Sequence, residues 1–90
     1  MSLFLITPIS NQAKVIASVK ANFAGDFFEI PNTQSLLVHH SGTTKELSDK
    51  IGLSAGENGT GIIVSFSSYY GRASTDIWEW IKSRLEKDSG

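Results

Sequence analysis

The sequence predicts a small α+β domain, on the basis of two patterns and its composition. Short apolar runs typical of strands alternate with longer segments in which apolar residues recur every three or four positions, as they do in helices. The chain has 90 residues, of which 40% are hydrophobic and 19% are charged. This composition is typical of an ordinary globular domain with one core. We therefore expect a single domain over residues 1–90.

The first two predicted elements are a strand and a helix. Residues Leu3–Ile6 form a continuous apolar run, which is typical of a strand covered on both faces. A helix is predicted over Gln12–Phe23, with Ser10 or Asn11 as its cap and Gly25 as its stop signal. The residues of its predicted core face are Ile16, Val19 and Phe23.

A hairpin is predicted next. Two β-rich runs, Phe27–Ile30 and Ser35–His40, are joined by residues 31–34, whose types favour a short reversal of the chain. Pro31 has no backbone N–H, so we expect it at a strand end or on an edge strand.

The second helix has clear signals at both ends. Thr43 and Glu46 have the spacing of a capping box, in which each side chain accepts a hydrogen bond from the backbone N–H of the other residue. Leu47 and Ile51 lie one turn apart, and Gly52 is placed to end the helix. The stretch SAGENGTG that follows is expected to be a loop. It is not a typical phosphate-binding loop, because no lysine follows it and no helix begins there.

The last two predicted elements are a strand over IIVSFSSYY and a helix. The strand places Ile62, Val64 and Phe66 on one face. The helix begins at residues 74–76 and runs to about Lys87. Its core face is predicted to consist of Ile77, Trp78, Ile81 and Leu85, while Trp80 lies well off the centre of that face.

The resulting order, β-α-β-β-α-β-α, is that of a ferredoxin-like β-α-β-β-α-β sandwich with an additional C-terminal helix. With two helices on one face of the sheet, the other face is left apolar, and the terminal helix or a second copy of the chain must cover it. We expect Trp80 to be the side chain that faces such a partner.

Charge, cysteine content and hydropathy exclude several classes of function. A formal net charge of −1 produces no long-range field to attract phosphate backbones, so nucleic-acid binding would need a local basic patch. The chain has no cysteine, which excludes disulfides and thiol catalysis. The apolar run in MSLFLITPIS is too short to span a membrane, and no basic segment precedes it. We therefore expect a cytoplasmic protein without a membrane partner.

The stretch SSYYGRASTDIWEW contains every tyrosine and tryptophan of the chain. Tyr69, Tyr70 and Arg72 could stack on bases and pair with a phosphate, or they could simply pack at the rim of the core. Neighbouring residues of a strand point to opposite faces, so at most one tyrosine would serve a stacking platform. We favour packing as the first role of this stretch and an interface as the second. The candidates for binding are Tyr69, Tyr70, Arg72 and Trp80.

No catalytic residue, metal ligand or cofactor is expected. His39 and His40 are neighbours on a strand, so their side chains diverge, and no carboxylate or third histidine lies at ligand spacing. The acidic residues considered are scattered: Asp26, Glu29, Asp49, Glu57 and Asp76. A metal site would require the fold to bring distant acids together.

Four stretches, LFLITPIS, TTKELSDKIG, GTGIIVSFS and DIWEWIKSRL, resemble in order and layout the small bacterial ferredoxin-like proteins of the SinR-family type. That group is similar in layout to the small CRISPR-associated integration subunit and to VapD-type endoribonucleases. In the CRISPR-associated relatives, an acid at the end of the first strand is assigned to metal binding and nuclease activity. Thr7 and Pro8 stand there in this chain, and neither can act as a carboxylate ligand.

The resemblance implies a homodimer built through sheet or terminal-segment contacts, in a nucleic-acid or host-defence setting. Our first hypothesis is a small binding or regulatory module that works as a non-catalytic homodimer. The alternative is a metal-dependent endoribonuclease that uses another acid, such as Asp26 or Asp76. A third hypothesis is a protein of the toxin–antitoxin or immunity type that binds a protein partner.

Overall fold

Three helices flank one four-stranded sheet in the computed structural model, which describes the backbone of residues 2–89 and the side chains of residues 2–84. The strands are β1 (Ser2–Ser10), β2 (Phe27–Glu29), β3 (Leu36–His40) and β4 (Thr60–Phe66), and the helices are α1 (Gln12–Asn22), α2 (Thr44–Ile51) and α3 (Thr75–Ser89). The strand order is β2-β3-β1-β4, and all neighbouring strands are antiparallel. The predicted α+β class is confirmed, and the arrangement is compatible with a ferredoxin-like layout.

Each face of the sheet carries its own core, because successive residues of a strand point to opposite sides. On the first side, which we call the two-helix face, α1 and α2 pack against the sheet. The buried residues there are Phe4, Ile6, Val15, Val19, Phe23, Leu36, Val38, Leu47 and Ile51. On the other side, the single-helix face, Ile77 and Ile81 of α3 pack against Leu3 and Leu37.

Strand β1 is longer than predicted, since it continues past Thr7 and Pro8 to Ser10. It pairs with β3 only as far as Ile6, and beyond that residue it pairs with β4 alone. Pro8 therefore lies where one side of the strand has no partner, next to a shift in register. Proline is tolerated at such edge positions and bulges, so the prediction that the strand ends at Ile6 was wrong.

Helix α1 begins without the predicted side-chain cap. Asn11 occupies the cap position with a left-handed backbone (φ 51°) and makes no capping hydrogen bond. The Ser10 hydroxyl lies 2.8 Å from that of Thr60, so it ties the end of β1 to β4. Val15 is also fully buried, so the core face predicted for α1 omitted one residue. Polar residues before a helix can satisfy partners in other elements, which local sequence does not reveal.

Helix α2 and the hairpin form as predicted. The Glu46 N–H donates to the Thr43 hydroxyl at 3.1 Å, and the Thr43 N–H donates to the Glu46 carboxylate at 3.0 Å. Gly52 ends the helix with a φ of 78°, a conformation that favours glycine. Strands β2 and β3 pair antiparallel, and Pro31 follows the edge strand β2, as expected.

Helix α3 covers part of the single-helix face. Either this helix or a second copy of the chain was expected to do so. It begins at Thr75, with Asp76 in its first turn, where a carboxylate favours the positive end of the helix dipole. Leu85, predicted to lie on its core face, is outside the described side chains. Within residues 2–89, no helix has the length and apolar character needed to cross a membrane.

Candidate functional site

A groove of about 550 Å³ opens on the single-helix face beside α3. Its floor is a row of apolar side chains that crosses the sheet. The strand register places Leu5 opposite both Leu37 and Val64, so neighbouring strands contribute one residue each at the same level. Ile30 and Phe66 extend this floor. We call this site the aromatic groove, after the side chains at its mouth.

The wall of the aromatic groove is the first half of α3. Ile77 and Ile81 lie one helical turn apart and are buried against the sheet. Trp78 is half-buried beside them and lines the groove. Trp78 was predicted to be a core residue, whereas the structure places it at the boundary between the core and the groove.

The mouth of the groove is formed by the connection between β4 and α3. The ring of Tyr69 stacks on that of Trp78, with centroids 5.7 Å apart and planes inclined by 18°. The edge of Tyr69 also meets Phe66, with centroids 6.3 Å apart. Tyr70 is fully exposed, at 103% of its reference surface, and also lines the groove. The mouth therefore presents one tyrosine that packs against other rings and one that is fully exposed.

The prediction that Tyr69 and Tyr70 lie on a strand and point to opposite faces was wrong. Strand β4 ends at Phe66, which is opposite Leu3 of β1. Beyond that pair β1 offers only Ser2, so the ladder has no partner for the tyrosines. Freed from the alternation of a strand, both side chains line the same groove.

The other two predicted binding residues lie outside this groove. Trp80 is half-buried on another flank of α3, where its ring contacts Phe28 at a centroid distance of 6.0 Å. The guanidinium of Arg84 covers the same ring at 4.8 Å. Arg72 is exposed in the connection before α3. The structure thus brings Tyr69 and Tyr70 together with Trp78, and it places Trp80 in a separate aromatic contact.

The contacts of Arg84 anchor α3 to the end of the chain segment that precedes β2. Arg84 donates a hydrogen bond to the Gly25 carbonyl at 2.8 Å and lies 4.0 Å from the Asp26 carboxylate. The same carboxylate is 4.0 Å from Nδ1 of the buried His39. Asp26, one of the acids considered for a metal, is therefore placed among structural contacts of the single-helix face.

His40 faces the opposite side of the sheet from His39, as their adjacency on a strand predicted. Its ring meets Phe23 edge to face at 5.3 Å and Phe4 at 6.0 Å. Burial lowers the pKa of His40, the positive charge of Lys50 lowers it further, and Glu46 opposes both effects. These effects favour the neutral form of His40, whose half-buried ring packs beside the core of the two-helix face.

The scattered acids and the histidine pair form no metal site in the part of the chain that the structure describes. No group of three histidine, aspartate or glutamate side chains there has the geometry to hold a metal ion. At the position of the acid in the CRISPR-associated relatives, Thr7 is exposed and its hydroxyl lies 3.1 Å from that of Ser35. Pro8 is buried.

Sequence reasoning missed both the groove and the exposed edge beside it. Residues 58–71 contain no charged side chain, which is unusual for a segment that runs along a protein surface. The absence of charge in this segment was the sequence feature that could have indicated the groove and the exposed edge. The rest of the groove comes from residues far apart in the chain, such as Leu37 and Ile81, which only the packing of α3 on the sheet brings together.

Comparisons of the chain with protein-family models, with curated proteins and with solved structures give no match. The resemblance to the SinR-type proteins therefore stays a prediction.

Proposed function

We propose that this protein is a non-catalytic binding module of ferredoxin-like architecture that works as a homodimer, joined edge to edge through β4. The observation that carries the proposal is the unprotected outer edge of β4. Among the strands of residues 2–89, β4 pairs with β1 on one side and with none on the other. An exposed strand edge offers unpaired N–H and C=O groups to another chain.

Strand β4 lacks the features that keep edge strands from pairing. It has seven residues, TGIIVSF, without charge or proline. Two of its apolar side chains are open to solvent, Ile62 at 56% and Val64 at 44%. Natural proteins usually protect an edge of this length with a charged residue, a proline or a covering segment.

The opposite edge of the sheet is protected. Strand β2 has only three residues, and the turn after it contains Pro31. Strand β2 also contains a charged residue, Glu29, whose carboxylate pairs with the Lys20 ammonium at 3.0 Å. The contrast supports β4, rather than β2, as the edge that accepts a partner.

A second copy of the chain suits this edge because β4 is self-complementary. In an antiparallel pair centred on Ile63, Ile62 lies opposite Val64 of the second copy, and the reverse contact follows from two-fold symmetry. Apolar side chains then meet on the single-helix face, while Gly61 meets Ser65 on the other face. Such cross-strand pairs of β-branched residues stabilise antiparallel sheets.

Sedimentation velocity over a range of protein concentrations tests the proposal with the variant Ile62→Lys. The side chain is exposed, so the fold should persist, but two-fold pairing would bring two lysines close together. We expect self-association to weaken roughly tenfold or more. Ala13→Lys, on the exposed side of α1, is the matched control and should leave the dimer intact.

Two results would contradict the proposal. The first is a monomer at every concentration, and the second is a dimer that Ile62→Lys leaves unchanged. Trp80→Ala distinguishes the other predicted interface, because a dimer that is lost in this variant, with the fold intact by circular dichroism, would involve α3 instead of β4.

A further inference from the structure

We propose that the aromatic groove binds an uncharged, largely apolar small molecule that carries a flat ring. This ligand site goes beyond the proposed dimer, since the groove lies on a face of the sheet and the dimer uses its edge, with Val64 at the border of the two. The site is complete within one chain. Its ligand class follows from three properties of the groove: its charge, its size and the rings at its mouth.

Among the side chains of residues 2–84, those that line the groove carry no charge. Of the side chains that form it, only those of Ser68, Tyr69, Tyr70 and Trp78 have polar atoms, which are three hydroxyls and one indole N–H. A carboxylate or phosphate that entered would lose water without gaining a cation, which is strongly unfavourable. The groove therefore selects against nucleotides and other anions, and it can offer an apolar ligand a few hydrogen bonds.

The size of the groove suits a small molecule. Its volume of about 550 Å³ lies within the range of pockets that bind small ligands, which are also mainly apolar with few polar groups. The floor residue Val64 is 44% exposed, so a ligand would bury apolar surface that now faces water. That burial is the driving force for binding.

The rings at the mouth favour a flat ligand. Tyr69 and Trp78 already stack on each other, and they form a smaller hollow of about 200 Å³ together with Gly71 and Tyr70. Tyr70 makes no buried contact in the free protein, since its side chain is fully exposed. A ring in the groove would give Tyr70 a surface to stack against, in the offset or edge-to-face geometry that aromatic pairs prefer.

The test is a fluorescence titration with N-phenyl-1-naphthylamine, an uncharged aromatic dye, using energy transfer from tryptophan. We expect saturable binding of one dye per chain. Trp78→Phe should weaken dye binding, because Trp78 lines the groove, whereas Trp80→Phe should leave the affinity unchanged. Tyr70→Ala should weaken binding by about threefold to tenfold, in line with the loss of one aromatic contact.

A second variant places a charge at the groove while leaving the core untouched. Ala73 lines the groove and is exposed, so Ala73→Glu should fold normally and weaken dye binding by roughly tenfold or more. Ala55→Glu introduces the same charge in an exposed loop and should leave the affinity unchanged.

Three outcomes would overturn the proposal: dye binding that does not saturate, binding that Ala73→Glu leaves unchanged, and displacement of the dye as the protein concentration rises. The last would mean that a second copy fills the groove. Failure of the edge dimer is distinguishable from all three, because it is measured by sedimentation and not by dye binding. Ile62 does not line the groove, so Ile62→Lys should leave dye binding intact.

Discussion

The two faces of the sheet use alternate residues of the same strands, yet they differ in how completely they are covered. On the two-helix face, α1 and α2 bury an uninterrupted core. On the single-helix face, α3 buries Leu3 and Leu37 but leaves Ile62 and Val64 exposed. The two-helix face thus holds the larger buried core, and the single-helix face presents apolar surface to solvent.

The difference has a simple geometric cause. Two helices side by side span the width of the sheet, whereas α3 crosses it alone. Its position is set at one end by Arg84, which reaches the Gly25 carbonyl near β2. The part of the helix around Arg84 is therefore held near β2, while Ile62 and Val64 of β4 at the other edge remain exposed.

Truncation of one isoleucine on each face should produce the largest contrast. Ile51 is fully buried on the two-helix face, while Ile62 is 56% exposed. We expect Ile51→Ala to lower the free energy of unfolding by about 2–5 kcal/mol and Ile62→Ala to lower it by less than about 0.5 kcal/mol. Urea denaturation followed by circular dichroism measures both values. Equal losses would contradict the division between a stabilising and an open face.

Removal of the Arg84 contacts should have an intermediate effect and act on the single-helix face alone. Arg84→Ala removes a hydrogen bond to a carbonyl and a cation–π contact with Trp80. We expect a loss of about 1–2 kcal/mol in the free energy of unfolding, with a change in tryptophan fluorescence. Arg72→Ala serves as the control for loss of an exposed arginine. No difference between the two variants would show that α3 is held by its apolar contacts alone.

A pH dependence of stability should be the smallest effect, and it belongs to the two-helix face. Because burial and Lys50 lower the pKa of His40, the unfolded chain takes up a proton at higher pH than the folded chain. Stability should therefore decline as the pH falls below the ordinary histidine value of 6.5 and level off below the folded-state pKa. Unfolding in urea at several pH values measures it.

The matched variant for this prediction is His40→Gln, which cannot titrate. Its free energy of unfolding should vary less between neutral and mildly acidic pH than that of the unaltered protein. A slope identical in both proteins over this pH range would assign the pH dependence to groups other than His40.

Elements with strong local signals were predicted well. The capping box of Thr43 and Glu46 and the left-handed Gly52 act within a few residues of chain, so their residue types suffice to place α2. The predicted end of β1 was wrong because it assumed that a proline ends the strand. Pro8 is tolerated within β1 since the pairing with β3 has already ended there. The end of β4 was wrong for a related reason, since the apolar and aromatic run continues past the last residue that can pair.

The candidate site was predicted less well than the fold. Tyr69 and Tyr70 were correctly singled out by their residue types, but their shared orientation was not foreseen. Trp78 was assigned to the core and Trp80 to the boundary, although the structure half-buries both. Helical spacing shows the relative directions of two side chains, and it does not reveal how far across the sheet the helix lies.

The sequence by itself determined the α+β class, the order of the elements, the hairpin and the caps of α2, because hydrophobic periodicity and turn chemistry are local. Only the tertiary structure decided which edge of the sheet is exposed and where the aromatic groove lies. Both depend on the strand order and on where α3 lies across the sheet. The groove is lined by Leu37, Ile77 and Val64, which lie far apart in the chain and come to one site only through the packing of the whole chain.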